Sequence, residues 1–161
     1  MPFTPLHMGP SLVMKAALGR TFSVTVFGWS QILIDIQPLL VMLGYNGELH
    51  GTSHSLLGAA VIAIIAAITG KPLGELGLRI MRWDCYAPIS WKIAFITAFI
   101  GTFSHVLIDS VMHVDVNLLY PFGTLNFLHG VVSISQLHQI CIVSGVIGGG
   151  LFLLREWRRR K

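Results

Sequence analysis

Ser104-His105-Val106-Leu107-Ile108-Asp109-Ser110-Val111-Met112-His113 is an apolar run broken at every fourth position by His, Asp and His. A helix turns about 100° per residue, so positions i, i+4 and i+8 share one face, roughly 6 Å apart along the axis. The stretch predicts a helix with a single stripe of imidazole, carboxylate and imidazole on an otherwise apolar surface. Metal ligation or proton transfer is the chemistry of such a stripe, in surroundings where bare charge is costly.

Composition says what the surroundings are. The chain of 161 residues is 53% hydrophobic and only 11% charged, with a mean hydropathy of +0.72. A soluble domain of this size has no use for so much apolar surface. The reading is an all-α, polytopic membrane bundle, one domain over residues 1–161, because helices satisfy their own backbone in lipid. The long unbroken apolar runs lack the alternation of a membrane β-barrel. Cys85 and Cys141 fall in different segments and suggest no disulfide framework. Lys15 interrupts the first apolar run and no small-residue cleavage site follows, so no cleaved signal is expected.

Going outward from the opening stretch, four spans are expected at about 22–43, 54–70, 90–113 and 131–154. A half-helix over about 8–19, opened by Pro10 and closed by Gly19, is too short to cross and reads as re-entrant or interfacial. Residues 71–86 place Leu73, Leu76 and Ile80 at roughly helical spacing with Arg79 and Arg82 nearby. They read as an amphipathic cytoplasmic surface segment, with Trp83, Tyr86 and Trp91 as interface anchors. With four spans, all 11 Lys and Arg fall on one side, and loops 44–53 and 114–130 hold none. That bias puts the N- and C-termini in the cytoplasm. The net charge of +4 therefore reports topology. The partner is the lipid bilayer; no nucleic-acid partner is expected, and an oligomer or larger membrane complex stays open.

The basic residues also set a baseline for depth. At about 1.5 Å per residue, Asp35 is roughly 22 Å from Arg20, and His54 roughly 25 Å from Lys71. His105 and Asp109 lie roughly 20 and 25 Å from Lys92, His138 roughly 25 Å from Arg155, and His7 roughly 20 Å from Arg20. Six titratable residues from five segments thus share one layer in the outer half of the membrane, with His50 and His113 a turn further out. Titratable groups at such depth face the bundle interior and mark function.

His50-Gly-Thr-Ser-His54 offers two imidazoles one turn apart, a pair that can grip one ion. The bland alternative is a solvated loop residue beside a helix cap. Asp35 reads as a metal ligand, with protonation or a hydrogen bond to a histidine as its alternative. His7 and His113 are further candidate ligands. His138, between Gln136 and Gln139, reads as lining beside the site, His129 as a loop residue, and Asp115 as a solvated acid or a partner to a ligand.

In this order and spacing the motifs resemble a family. His7, Asp35-Ile-Gln-Pro38, His50-Gly-Thr-Ser-His54-Ser55, Ser104-His105-Val-Leu-Ile-Asp109 and Tyr120-Pro121-Phe122 are similar to the pattern of the membrane-bound, metal-dependent hydrolases related to the LexA-regulated inner-membrane hydrolase. The likeness covers most of residues 1–125. It implies a bacterial inner-membrane location and a hydrolase label, without a substrate.

The function expected is hydrolysis of an ester, amide or phosphoester, lipid-linked where the substrate enters from the outer leaflet, by a water activated on one or two divalent ions. Zinc suits His and Asp best, with Mn²⁺ or Fe²⁺ as alternatives. The expected ligands are Asp35, His50, His54, His105 and Asp109, completed by His7 and His113. Asp109 and His105 are the expected catalytic groups, Asp109 or a histidine free of metal serving as base. The loop 118–122 is expected to dip into the interface as a lid. The rival reading is a non-enzymatic small membrane subunit or assembly factor with a structural metal or buried polar site.

Overall fold

The computed structural model of the chain describes residues 5–161. Among these residues every regular element is helical. They are α1 (Gly9–Leu18), α2 (Val24–Ile34), α3 (Ile36–Met42), α4 (Leu56–Ile80), α5 (Trp91–Met112) and α6 (Ile134–Arg160), with short 3-10 turns at Pro5–Met8, Gly19–Thr21, Thr52–His54 and Asp84–Tyr86. Four stretches are long and apolar enough to cross a membrane: Val24–Met42, Leu56–Ile80, Trp91–Met112 and Ile134–Arg159.

Each crossing opens on a serine. Ser23, Ser55, Ser90 and Ser133 sit in extended conformation, and their hydroxyls accept from the backbone N–H of Val26, Gly58, Ile93 and Gln136. Such a cap satisfies one of the first-turn amides and contributes about 1 kcal/mol. Gln136 completes a capping box by accepting from the Ser133 N–H at 3.1 Å.

Two boundaries differ from the sequence reading. The second span does not end near Gly70: α4 continues to Ile80 and takes in residues 71–80, expected in a separate surface segment. Pro72 sits inside it without ending it, as prolines in spanning helices can, and Lys71 is neutralised by Glu75 at 2.7 Å, one turn on. Only 81–86 remain as a surface turn. The first span is divided at Asp35, between α2 and α3. Pro38 has no N–H to give the Ile34 carbonyl, so the helical ladder breaks there.

The helices pack as two groups. α2, α4 and α5 pack on one another, and α1 packs on α6. The first group closes on a core of Val26, Ala63, Ala66, Ala67, Ala94 and Ala98, all fully buried. Small side chains let these helices approach closely, which is how packing is won where lipid is as apolar as the protein. In the second pair, α1 runs parallel to α6. A Cβ on Gly9 would strike the Cys141 carbonyl, and one on Gly148 would strike the backbone of Leu12 and Val13. Further along, Arg155 Nη1 donates to the Ala16 carbonyl at 2.7 Å. The pairing puts Pro5–Met8 at the end of the bundle opposite the arginine-rich tail. The N-terminal residue itself, expected in the cytoplasm, lies outside the described residues.

Candidate metal centre

The break at Asp35 is the first device that builds the site. It leaves the carboxylate at a helix junction, buried, facing α5. On α5 the i, i+4 spacing stacks His105 over Asp109. His50 and His54 come from the segment joining α3 to α4, which Gln37 pins from both sides: its Nε2 donates to the Glu48 carbonyl at 3.3 Å and its Oε1 accepts from Ser53 N–H at 2.9 Å. His7 arrives from the 3-10 turn that α1 holds against α6.

The side chains meet. His105 Nε2 is 3.3 Å from Asp35 Oδ1 and 3.2 Å from Asp109 Oδ2; His54 Nε2 is 3.8 and 3.2 Å from the same two oxygens. One ligand atom from each of Asp35, His54, His105 and Asp109 falls within 4.8 Å of the others, and a second group is made by His50, Asp109 and His113. Asp109 belongs to both. The first group is closed: its four residues are 0–4% exposed. The second is more open, with His113 half-buried and stacked on His50 at 4.2 Å. His7 Nε2 lies 3.5 Å from Asp109 Oδ1 and its ring packs edge-on against His105 at 4.6 Å.

What surrounds the ring nitrogens decides which way they work. Gln31 Nε2 donates to the Gly101 carbonyl at 2.8 Å, so its Oε1 faces His105 Nδ1 at 2.9 Å and accepts from it. That holds a proton on Nδ1, so the neutral ring presents its lone pair on Nε2. His50 Nδ1 likewise donates to Asp115 Oδ2 at 2.9 Å, and His54 Nδ1 lies 2.9 Å from Ser53 Oγ. Burial alone would raise the Asp115 carboxyl, yet the His50 hydrogen bond holds it below its ordinary value.

The Nε2 atoms of His54 and His105 and both nitrogens of His7 are buried without a hydrogen-bond partner. A lone pair held 3.2–3.8 Å from two carboxylate oxygens is repelled by them unless a proton or a metal ion stands between. Two carboxylates and two imidazoles are a donor set for a divalent ion, and a 2+ charge cancels theirs. The group can hold a metal ion; its residues and their orphaned nitrogens fit one.

The seven candidate ligands of the sequence come together at this end of the bundle. His138 does not join them. It lies on α6, which packs on α1, and is half-buried outside both groups. His129 is an exposed loop residue. The segment 118–122 is not a free lid: Leu118 is core, and its carbonyl accepts from the Leu56 N–H at 2.9 Å, while Phe122 is 91% exposed. Gln31 and Ser53 were not foreseen as partners of the histidines. Gln31 stands one helical turn before Asp35, and that i, i+4 spacing was the signal for it.

The family model described as YdjM inner membrane protein matches residues 12–160. No curated protein and no solved structure matches the chain. The match takes in nearly the whole chain, and the chain belongs to that family.

Proposed function

We propose that this member of the YdjM inner membrane protein family is a membrane-embedded, metal-dependent hydrolase acting on an ester, amide or phosphoester, with zinc as its ion. The observation that carries the reading is the orphaned Nε2 of His54 and His105, locked from behind and aimed at two buried carboxylates. Asp35, His54, His105 and Asp109 would hold the first ion, and His50 and His113, together with Asp109, a second. When bound, the ions supply an acidified water and a Lewis acid toward a carbonyl or phosphoryl oxygen.

The chain's own residues do the rest. Asp109 and His105, expected as the catalytic groups, both stand among the ligands. His7 lies outside both groups of ligand atoms, and its Nε2 is 3.5 Å from Asp109 Oδ1; it takes up and returns the proton as base and acid. The open side is at His113 and Asp115, the latter side chain 50% exposed. This end lies away from the basic residues, so a lipid or lipid-linked substrate arrives from the outer leaflet, with the C-terminus in the cytoplasm.

The test is elemental analysis of the purified protein, followed by hydrolysis of a panel of lipid esters, amides and phosphoesters. One to two zinc per chain, lost in His54→Ala and His105→Ala, supports the centre; activity lost in His7→Ala with the metal retained supports the enzyme. No transition metal in the wild type overturns both. The closure of the inner group favours one second reading, a structural ion in a non-enzymatic subunit, since structural zinc sites are fully ligated. Full metal occupancy with no turnover of any panel member decides for it.

A further inference from the structure

At the opposite end from the candidate centre, the two helix groups do not close on each other. A cavity of about 400 Å³ lies between them. Its wall is apolar, built from Phe22, Leu78, Ile89, Ile93 and Phe152, and it lies at the level of the Trp83 and Tyr86 rings. Two cationic side chains line it, Lys15 and Arg20, and no acidic residue does. Lys15 is buried, its Nζ donating to the carbonyls of Gly19 at 2.9 Å and Phe22 at 2.8 Å, and lying 3.9 Å over the Tyr86 ring. Arg20 is exposed, and among the described residues no hydrogen bond or ion pair engages it.

We infer that this cavity is a binding site for one anionic phospholipid of the leaflet at the basic end, an acyl chain lying between the two helix groups and the head-group phosphate meeting Arg20. The chemistry is complementary at both ends. An apolar slot of this size at a membrane interface is filled by a hydrocarbon chain at no cost in hydrogen bonds, whereas water there would find few partners. Lys15 donates to two carbonyls at the slot's wall, and the carboxylate that faces it, Glu156, stands outside the slot's lining and accepts from the Tyr86 hydroxyl. Arg20 presents a free guanidinium, the fork that matches phosphate. The site is independent of the candidate metal centre, and it stands or falls without it.

Native mass spectrometry of the full chain, released from detergent after incubation with phosphatidylglycerol or phosphatidylcholine of identical chains, reads the site directly. Wild type is expected to retain one phosphatidylglycerol in preference to phosphatidylcholine. Arg20→Gln is expected to lower that preference about fivefold, the worth of one basic residue near an anionic lipid surface, and to leave the fold intact. Gly149 lines the slot, and a Cβ there meets only Leu12 Cδ1 at 3.8 Å. Gly149→Leu is therefore expected to fill the slot and abolish retention of both lipids while the helical circular-dichroism spectrum persists. Equal retention of the two lipids by wild type, or undiminished retention in folded Gly149→Leu, means ordinary annular lipid only and overturns the proposal.

Discussion

Gln31→Met removes both polar ends of a side chain that touches no candidate ligand atom directed at the metal. Two hydrogen bonds go with it, Nε2 to the Gly101 carbonyl at 2.8 Å and His105 Nδ1 to Oε1 at 2.9 Å. The Gly101 carbonyl keeps a donor, Ser104 Oγ at 3.0 Å. His105 Nδ1 keeps none, and its proton is free to move to Nε2, where the lone pair is needed. Loss of such an outer partner lowers metal affinity about 10–100-fold, or ~1.4–2.7 kcal/mol. Leaving one buried donor unpaired costs the metal-free fold about 1–3 kcal/mol as well. Competition for zinc against a chelating dye at fixed pH measures the first quantity, and thermal unfolding of the metal-free protein the second. Gln31→Glu keeps an acceptor for His105 and should restore most of the affinity. A folded Gln31→Met protein whose zinc affinity stays within twofold of wild type refutes the tautomer argument.

Removing metal should expose two buried carboxylates to two lone pairs. At zinc a hundredfold above its dissociation constant, the gain over the chelated protein is about 2.7 kcal/mol, a rise of roughly 5–11 °C in Tm for a chain of this size; no shift on chelation counts against the centre. Neutral imidazole binds metal and imidazolium does not. Zinc retained through dialysis at pH 7.5 should therefore be lost as pH falls through the ordinary histidine range near 6.5, and retention unchanged at pH 4.5 would show that histidine is not ligating. Gly148→Ala should push α1 off α6 and destabilise by about 1–3 kcal/mol, while Gly77→Ala, with nothing within 4 Å of its Cβ, should be neutral or stabilise by up to ~1 kcal/mol. Equal melting temperatures for the two would refute the parallel α1–α6 packing. Exposed Cys85 at the basic end should react with a membrane-impermeant maleimide only after cells are opened; labelling of intact cells inverts the topology.

The stripe at 105–113 was legible because helical phase and depth both act along one element. His105 and Asp109 need only the i, i+4 rule, and Asp35 and His54 only a residue count from the basic ends, since rise per residue varies little between spans. His138 shows what the count omits. Depth says how far along a helix a residue lies and nothing of which way it points, and α6 spends its contacts on α1. The break at Asp35 is written in Pro38, three residues on, but hydropathy alone joins the two in one unbroken span. The continuation of α4 past Lys71 was hidden by its charges, which pair within the helix and so do not end it. Sequence leaves Asp115 as a solvated acid or a partner to a ligand; only the fold shows that its carboxylate meets His50 Nδ1.

The two helix groups give the cluster its meaning. α2, α4 and α5 pack on one another, and the segments they carry bring Asp35, His54, His105 and Asp109 together. His7 is what the second group brings to them, delivered by a short helix seated on α6 through Gly9 and Gly148. A residue needed only as a fourth or fifth ligand has no reason to ride on the other group. On the proposed function His7 is a proton carrier, brought by the other group to 3.5 Å from Asp109 Oδ1. On the proposed function, metal retention and proton transfer are then carried by different helix groups and should be separable. Substitutions at the α1–α6 seam should abolish turnover at unchanged metal content, whereas substitutions at Gln31 or His105 should take both together.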